Sequence, residues 1–219
     1  MHPGALQRLL TWLSPAFPIG GFAWSAGLET AIVDGVVNSP PSTRDWIEGS
    51  LRAGAIATDA IILAHAYRAG PNPEALSEVA DLTLALTPSA ERHAETIAMG
   101  RAFLQAAAAW PGFDLARLPH PCPYPVAVGV VAARQDVPLA DTLIAFVAAA
   151  VHAQVSVAVR LVPIGQSAGL TVIAGLEDLV TETAGRAVDA SLEEIGTMAY
   201  AADIAQMRHE TLQPRLFRS

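Results

Sequence analysis

The chain has 219 residues, of which 52% are hydrophobic and 16% charged, with a formal net charge of −8 and a mean hydropathy of +0.37. The acidic balance opposes a nucleic-acid role, because displacing phosphate counterions needs a basic face. All thirteen basic residues are arginine, which excludes a P-loop lysine or a lysine Schiff base, and the single cysteine, Cys122, excludes an internal disulfide.

Proline and glycine divide the chain into helical segments. A first helix spans Gly4 to Leu13 and stops before Pro15. Pro15 and Pro18 interrupt the apolar N-terminal stretch, and no basic region precedes a small-residue cleavage site, so it does not read as a signal peptide. A turn at Pro18 to Gly21 leads to a short helix near Ser25 to Asp34. After Pro40 and Pro41, Ser42 with Asp45 forms a capping box for a long helix reaching Ala69 and ending at Gly70 and Pro71. Asn72 followed by Pro73 starts a helix to Leu86, and Thr87 followed by Pro88 starts another to Trp110.

The proline-rich loop His120 to Pro125 comes next, followed by helices over Val126 to Gln135, Leu139 to Leu161, Ser167 to Gly185 and Ala187 to Met198. Strand-like alternation is nearly absent, and nothing marks a repeat or a domain boundary. The expected architecture is all-α, a single-domain bundle of about ten helices over residues 1–219. The helix over Leu139 to Leu161 is apolar on nearly every face and belongs at the bundle centre, with a homodimer seam as the alternative. The longest charge-free apolar run, Leu143 to Val151, is short of the ~20 residues that a membrane span needs. These features place the chain in the cytoplasm, away from membranes.

No catalytic constellation stands out. Ser25 in Trp-Ser-Ala-Gly lacks the first glycine of a nucleophile elbow. No pair of histidines has metalloprotease spacing, and His120 with Cys122 falls short of the three or four ligands of a transition-metal site. No metal, cofactor or catalytic residue is therefore expected. The competing reading is a small helical hydrolase using His209 and Glu210 as an acid–base pair, although helix neighbours diverge by about 100°. Glu91, Arg92 and Glu95 share one helix, either as a solvated face or as a face for basic partners such as Arg208 or Arg215. Arg160 follows a buried-looking run and is expected to form an internal ion pair.

The C-terminus carries the most information. Arg208, His209 and Glu210 precede Pro214, and Arg215, Leu216, Phe217 and Arg218 follow it, before Ser219. Residues 211–219 read as a flexible docking tail, with Leu216 and Phe217 as anchors and the arginines as carboxylate clamps. The alternative is a tail folded back on its own domain.

Four segments in order resemble the UreF family of urease accessory proteins. They are LLTWLSPAFPIGGFAWSAGLE from Leu9 to Glu29, ERHAETIAMGRAFL from Glu91 to Leu104, HAQVSVAVRLVPIGQSAG from His152 to Gly169, and the tail DIAQMRHETLQPRLFRS. The resemblance implies an all-helical, dimer-forming cytoplasmic scaffold rather than an enzyme. It implies partnership with UreD (also called UreH), the UreG GTPase and apo-urease in GTP-dependent nickel insertion. It also implies partner binding through Phe22, Trp24, Ser25, Gly27 and Glu29 together with Arg208, His209, Glu210, Arg215, Leu216, Phe217 and Arg218. Trp24 stands where the family usually has tyrosine, and Leu212-Gln213-Pro214 replaces part of the usual tail.

Overall fold

The computed structural model describes residues 2–70, 72–111, 118–196 and 198–218. Among these the chain forms an all-α bundle: α1 (Pro3–Trp12), α2 (Leu28–Val33), α3 (Pro40–Ala53), α4 (Ala55–Ala69), α5 (Pro73–Ala85), α6 (Ala90–Ala107), α7 (Tyr124–Arg134), α8 (Leu139–Leu161), α9 (Gly165–Ala174), α10 (Glu177–Asp189) and α11 (Tyr200–His209). Short 3-10 turns occupy Gly21–Ala23 and Leu192–Glu194.

Local chemistry sets the helix starts. Proline occupies the first turn of α1, α3 and α5, where a missing amide costs no helical hydrogen bond. The Asn72 carboxamide oxygen accepts the amides of Glu74 and Ala75, as the sequence implied. Two caps lie elsewhere than expected. Ser39 rather than Ser42 caps α3, and the box closes reciprocally between these two serines. Ser89 caps α6 by accepting the Arg92 amide at 3.1 Å, so that helix begins beyond Pro88 and ends at Ala107, short of Trp110.

The long helix expected from Ser42 to Ala69 is two helices, because Gly54 leaves helical geometry at φ −124° and ψ −155°. The segment 167–185 likewise divides into α9 and α10 around Gly175 and Leu176. No α-helix fills the described part of 187–198; the chain runs extended at Ala190 and makes only the turn at Leu192–Glu194. Pro71 and Thr197 lie outside the described residues.

The bundle centre is α7 packed on α4, not α8. Every residue from Pro125 to Ala132 is buried. α8 sends Leu143, Phe146, Val147, Val151 and Val155 into the same core but leaves Ile144, His152 and Ser156 exposed. It is long and apolar enough by length and composition to cross a membrane. Its contacts with α10, α9 and α4 make it a wall of the bundle. Aromatic contacts connect four helices: Trp12 to Phe103 at 6.4 Å and Phe103 to Tyr124 at 5.8 Å meet edge-on, and Tyr124 meets Phe146 at 5.5 Å in a tilted pair, measured between ring centroids. Phe17 packs on Phe103 at 5.5 Å and so anchors the segment leading to α2.

A charged cluster fixes α6 to α4. Arg92 pairs with Asp59 across the helices and lies 3.1 Å from Glu95 on its own helix. Burial pushes the Asp59 and Glu95 carboxyls above their ordinary values, although Arg92 opposes the rise. Gly100 lets α6 meet the loop before α7, since a β-carbon there would lie 2.0 Å from the Cys122 carbonyl oxygen. Gly100→Ala is therefore expected to cost at least ~1–3 kcal/mol by overpacking. Gly49→Ala, on an open face of α3, should be neutral or stabilise by up to about 1 kcal/mol. Thermal melting of both variants checks this, and equal melting temperatures would contradict the tight contact.

Candidate functional site

The C-terminal segment folds back onto the turn that precedes α2. Gly27 sits in the left-handed region at φ +80°, and a β-carbon there would lie 2.9 Å from the Gln206 backbone nitrogen. A side chain at this position would push α11 away from α2. The Ser25 hydroxyl accepts the Glu29 amide at 3.3 Å and tightens the entry to α2. This turn directs the Glu29 carboxylate inward, where only 4% of the residue remains exposed.

Three side-chain nitrogens, two from His209 and one from Arg215, converge on buried Glu29 and half-buried Glu91, and two backbone amides join them. Glu29 accepts the amides of Leu216 at 2.7 Å and Phe217 at 3.0 Å, and lies 2.9 Å from His209 Nε2. His209 Nδ1 lies 2.7 Å from Glu91, whose other oxygen pairs with Arg215. Burial alone would raise the Glu29 pKa. The His209 hydrogen bond and the two amides outweigh it and hold the carboxyl below its ordinary value.

Around this centre Phe217 becomes a core residue, 6% exposed, among Leu28, Ala31, Val37, Val157, Ala158 and Val162. Arg160 stacks over its ring at 4.5 Å and donates to the Phe22 carbonyl at 3.2 and 3.3 Å. The internal carboxylate expected for Arg160 is thus replaced by an aromatic face and a carbonyl, and the residue is exposed. The Arg218 amide donates to the Ala23 carbonyl at 2.8 Å, and its guanidinium lies 5.8 Å from the Trp24 ring.

The twelve residues singled out in the sequence therefore separate by role. Phe22 and Leu216 are 74% and 82% exposed. Arg208, Glu210, Arg215 and Arg218 are exposed and Trp24 is half-buried, whereas Ser25, Gly27, Glu29, His209 and Phe217 are buried. An open groove of about 540 Å³ runs between Trp24, Phe217, Arg215 and Arg218 on one side and Ala90, Glu91 and Ala94 on the other. Arg208 pairs with Asp34, the residue that caps the C-terminal end of α2, and Glu210 accepts the Ala90 amide at 2.8 Å. The sequence reading missed Asp34 and did not distinguish Glu91 as the seat of Arg215. Charge complementarity was the available signal.

The hydrolase alternative fails on this geometry. His209 is wholly buried with both ring nitrogens occupied, and Glu210 points to the α6 amide instead. Glu29 and Glu91 bind opposite ring nitrogens and so cannot converge with the imidazole on one metal ion. Among the described residues no group of three or more histidine, cysteine, aspartate or glutamate side chains is placed to hold a metal. Burial pushes the Cys122 thiol up to about 12, which leaves it a weak ligand and nucleophile at neutral pH.

The UreF family model matches residues 37–177. The chain is 49% identical over 215 residues to the urease accessory protein UreF of Agrobacterium fabrum (strain C58 / ATCC 33970), covering 98% of this chain and 96% of that protein. It is 49% identical over 222 residues to the UreF of Rhodopseudomonas palustris (strain BisB5), covering 98% and 91%. The UreF of Mesorhizobium japonicum is 47% identical over 215 residues, with 98% and 96% covered.

Glu29→Ala should cost ~3–5 kcal/mol at neutral pH, because it strands His209 and two amides in a buried site. The depressed Glu29 pKa also sets a sign. Its stabilisation is present at neutral pH and is lost as pH falls through the folded-state value. Urea unfolding of wild type and Glu29→Gln between about pH 3 and pH 7 should show a flatter acid limb in the variant. Parallel curves would contradict this assignment.

Proposed function

The chain belongs to the UreF family of urease accessory proteins, and on that basis we propose that it is a non-catalytic scaffold of urease maturation. In this reading it bridges UreD (UreH) and the UreG GTPase during GTP-dependent nickel insertion into apo-urease in the cytoplasm. The observation that carries the proposal is the joint between the C-terminal segment and the turn before α2. That joint leaves Phe22 and Leu216 as the exposed apolar residues beside a groove bordered by Trp24, Arg215 and Arg218. Large exposed side chains flanked by arginine have the composition of interface anchors. Folding back reassigns the tail's two apolar residues: Phe217 secures the joint, and Leu216 is left to meet a partner.

Ser25, Gly27, Glu29 and His209 contribute to docking by holding this shape. Arg208 and Glu210 brace α11 against α2 and α6 at its edge. A homodimer belongs to the same reading. α1 packs on α8, and exposed Leu6, Leu10 and Ile144 on these helices are apolar surface that pairing would cover.

Co-purification with UreD and UreG tests the proposal. Leu216→Ala with Phe22→Ala should weaken complex formation at least tenfold while leaving the melting temperature within a few degrees. Phe217→Ala should weaken binding and also melt lower, because it removes a buried ring at a cost of ~3–5 kcal/mol. Full complex formation by the double variant would refute docking through this joint.

A further inference from the structure

The regulation of this joint rests on the docking reading just given and comes from the state of one proton. A carboxylate oxygen accepts hydrogen bonds, and both ring nitrogens of His209 face such oxygens at 2.7 and 2.9 Å. A neutral imidazole has a single N–H, so it would aim a lone pair at one of the two glutamates. With both carboxyls ionised, both contacts are satisfied only when the ring carries two protons. The four side chains then balance: Glu29 and Glu91 are negative, His209 and Arg215 positive. Losing the second imidazole proton leaves two carboxylates with Arg215 as the remaining countercharge.

The other charged groups described at α2 and α11 are engaged elsewhere. α2 contributes Glu29 and, at its C-terminal cap, Asp34, and Asp34 is paired with Arg208. α6 contributes Glu91, which already holds Arg215. On α11 itself Glu210 accepts the Ala90 amide, and Asp203 faces the pocket lined by Asp59 and Arg92. The carboxylate that would be destabilised is the one that holds the Leu216 and Phe217 amides.

We propose that doubly protonated His209 is a latch that holds residues 215–217 against α2 and α6, and that loss of its proton releases them and dissolves the docking surface. The sign follows from the proton count. The latch is closed while the ring holds both protons and opens when rising pH removes one of them. At still lower pH, protonation of Glu29 opens it again, so closure occupies a window between the two.

The test uses the isolated full chain. Deuterium exchange of the Leu216 and Phe217 amides is followed from about pH 6 to pH 9, corrected for intrinsic base catalysis, alongside carbon NMR of the His209 ring. Protection should fall at least tenfold across the ring's titration. His209→Gln, which donates from one nitrogen only, should be poorly protected at every pH. Should that variant not fold, Glu91→Gln keeps the size and the acceptor while removing one charge, and should open the latch at lower pH than the wild type. A ring that keeps one form across the range, or amide protection that does not follow it, overturns the latch. Such a failure leaves docking standing, because no partner is present. A normal exchange profile with unaffected co-purification of the Phe22/Leu216 double variant sinks docking alone.

Discussion

Glu29 and His209 lie 180 residues apart and meet at 2.9 Å as two buried side chains. Much of the joint between the C-terminal segment and α2 depends on that contact. A buried carboxylate is tolerated only where its charge and its lone pairs are satisfied. Glu29 meets that demand by gathering an imidazole from α11 and two amides from the last residues of the chain. The carboxylate therefore orders residues that, as a chain end, would otherwise have few contacts. Glu91 repeats the device one step outward, taking the other ring nitrogen and Arg215.

The remainder of the bundle holds these carboxylates in place. α6, which carries Glu91, is fixed by Arg92 and Asp59 to α4 and by the close approach at Gly100 to the loop before α7. The turn that delivers Glu29 is anchored by Phe17 against Phe103 of α6. Both acceptors are thus referred to the same helix, and the segment that binds them is positioned by the central packing. Arg160 extends the frame to α8 by clasping the Phe22 carbonyl and covering Phe217.

This arrangement gives the family motifs a physical meaning. In the stretch ending WSAGLE, the serine tightens the turn, the glycine admits α11, and the glutamate holds the tail. These residues form a mount for exposed Phe22 and Leu216. The segment 9–29 and the tail both lie outside the family-model match at 37–177, and the structure brings them together into one unit.

Sequence by itself determined the helical class, most of the helix starts and the importance of the C-terminus. Those properties follow from local chemistry: proline at first turns, asparagine and serine at caps, and an unusual density of arginine around the apolar pair Leu216 and Phe217 at the chain end. It misjudged the breaks at Gly54 and at Gly175 with Leu176, because a run of helix-forming residues does not show where tertiary packing demands a change of direction. It placed the apolar helix α8 at the centre, although α7 is the helix buried throughout. Periodicity reports how apolar a face is and is silent on which neighbours cover it. Whether the tail stood free or folded back could not be read from its residues. The acceptors for its amides and arginine are Glu29 and Glu91, far away along the chain, and only the tertiary structure brings those carboxylates to one buried histidine.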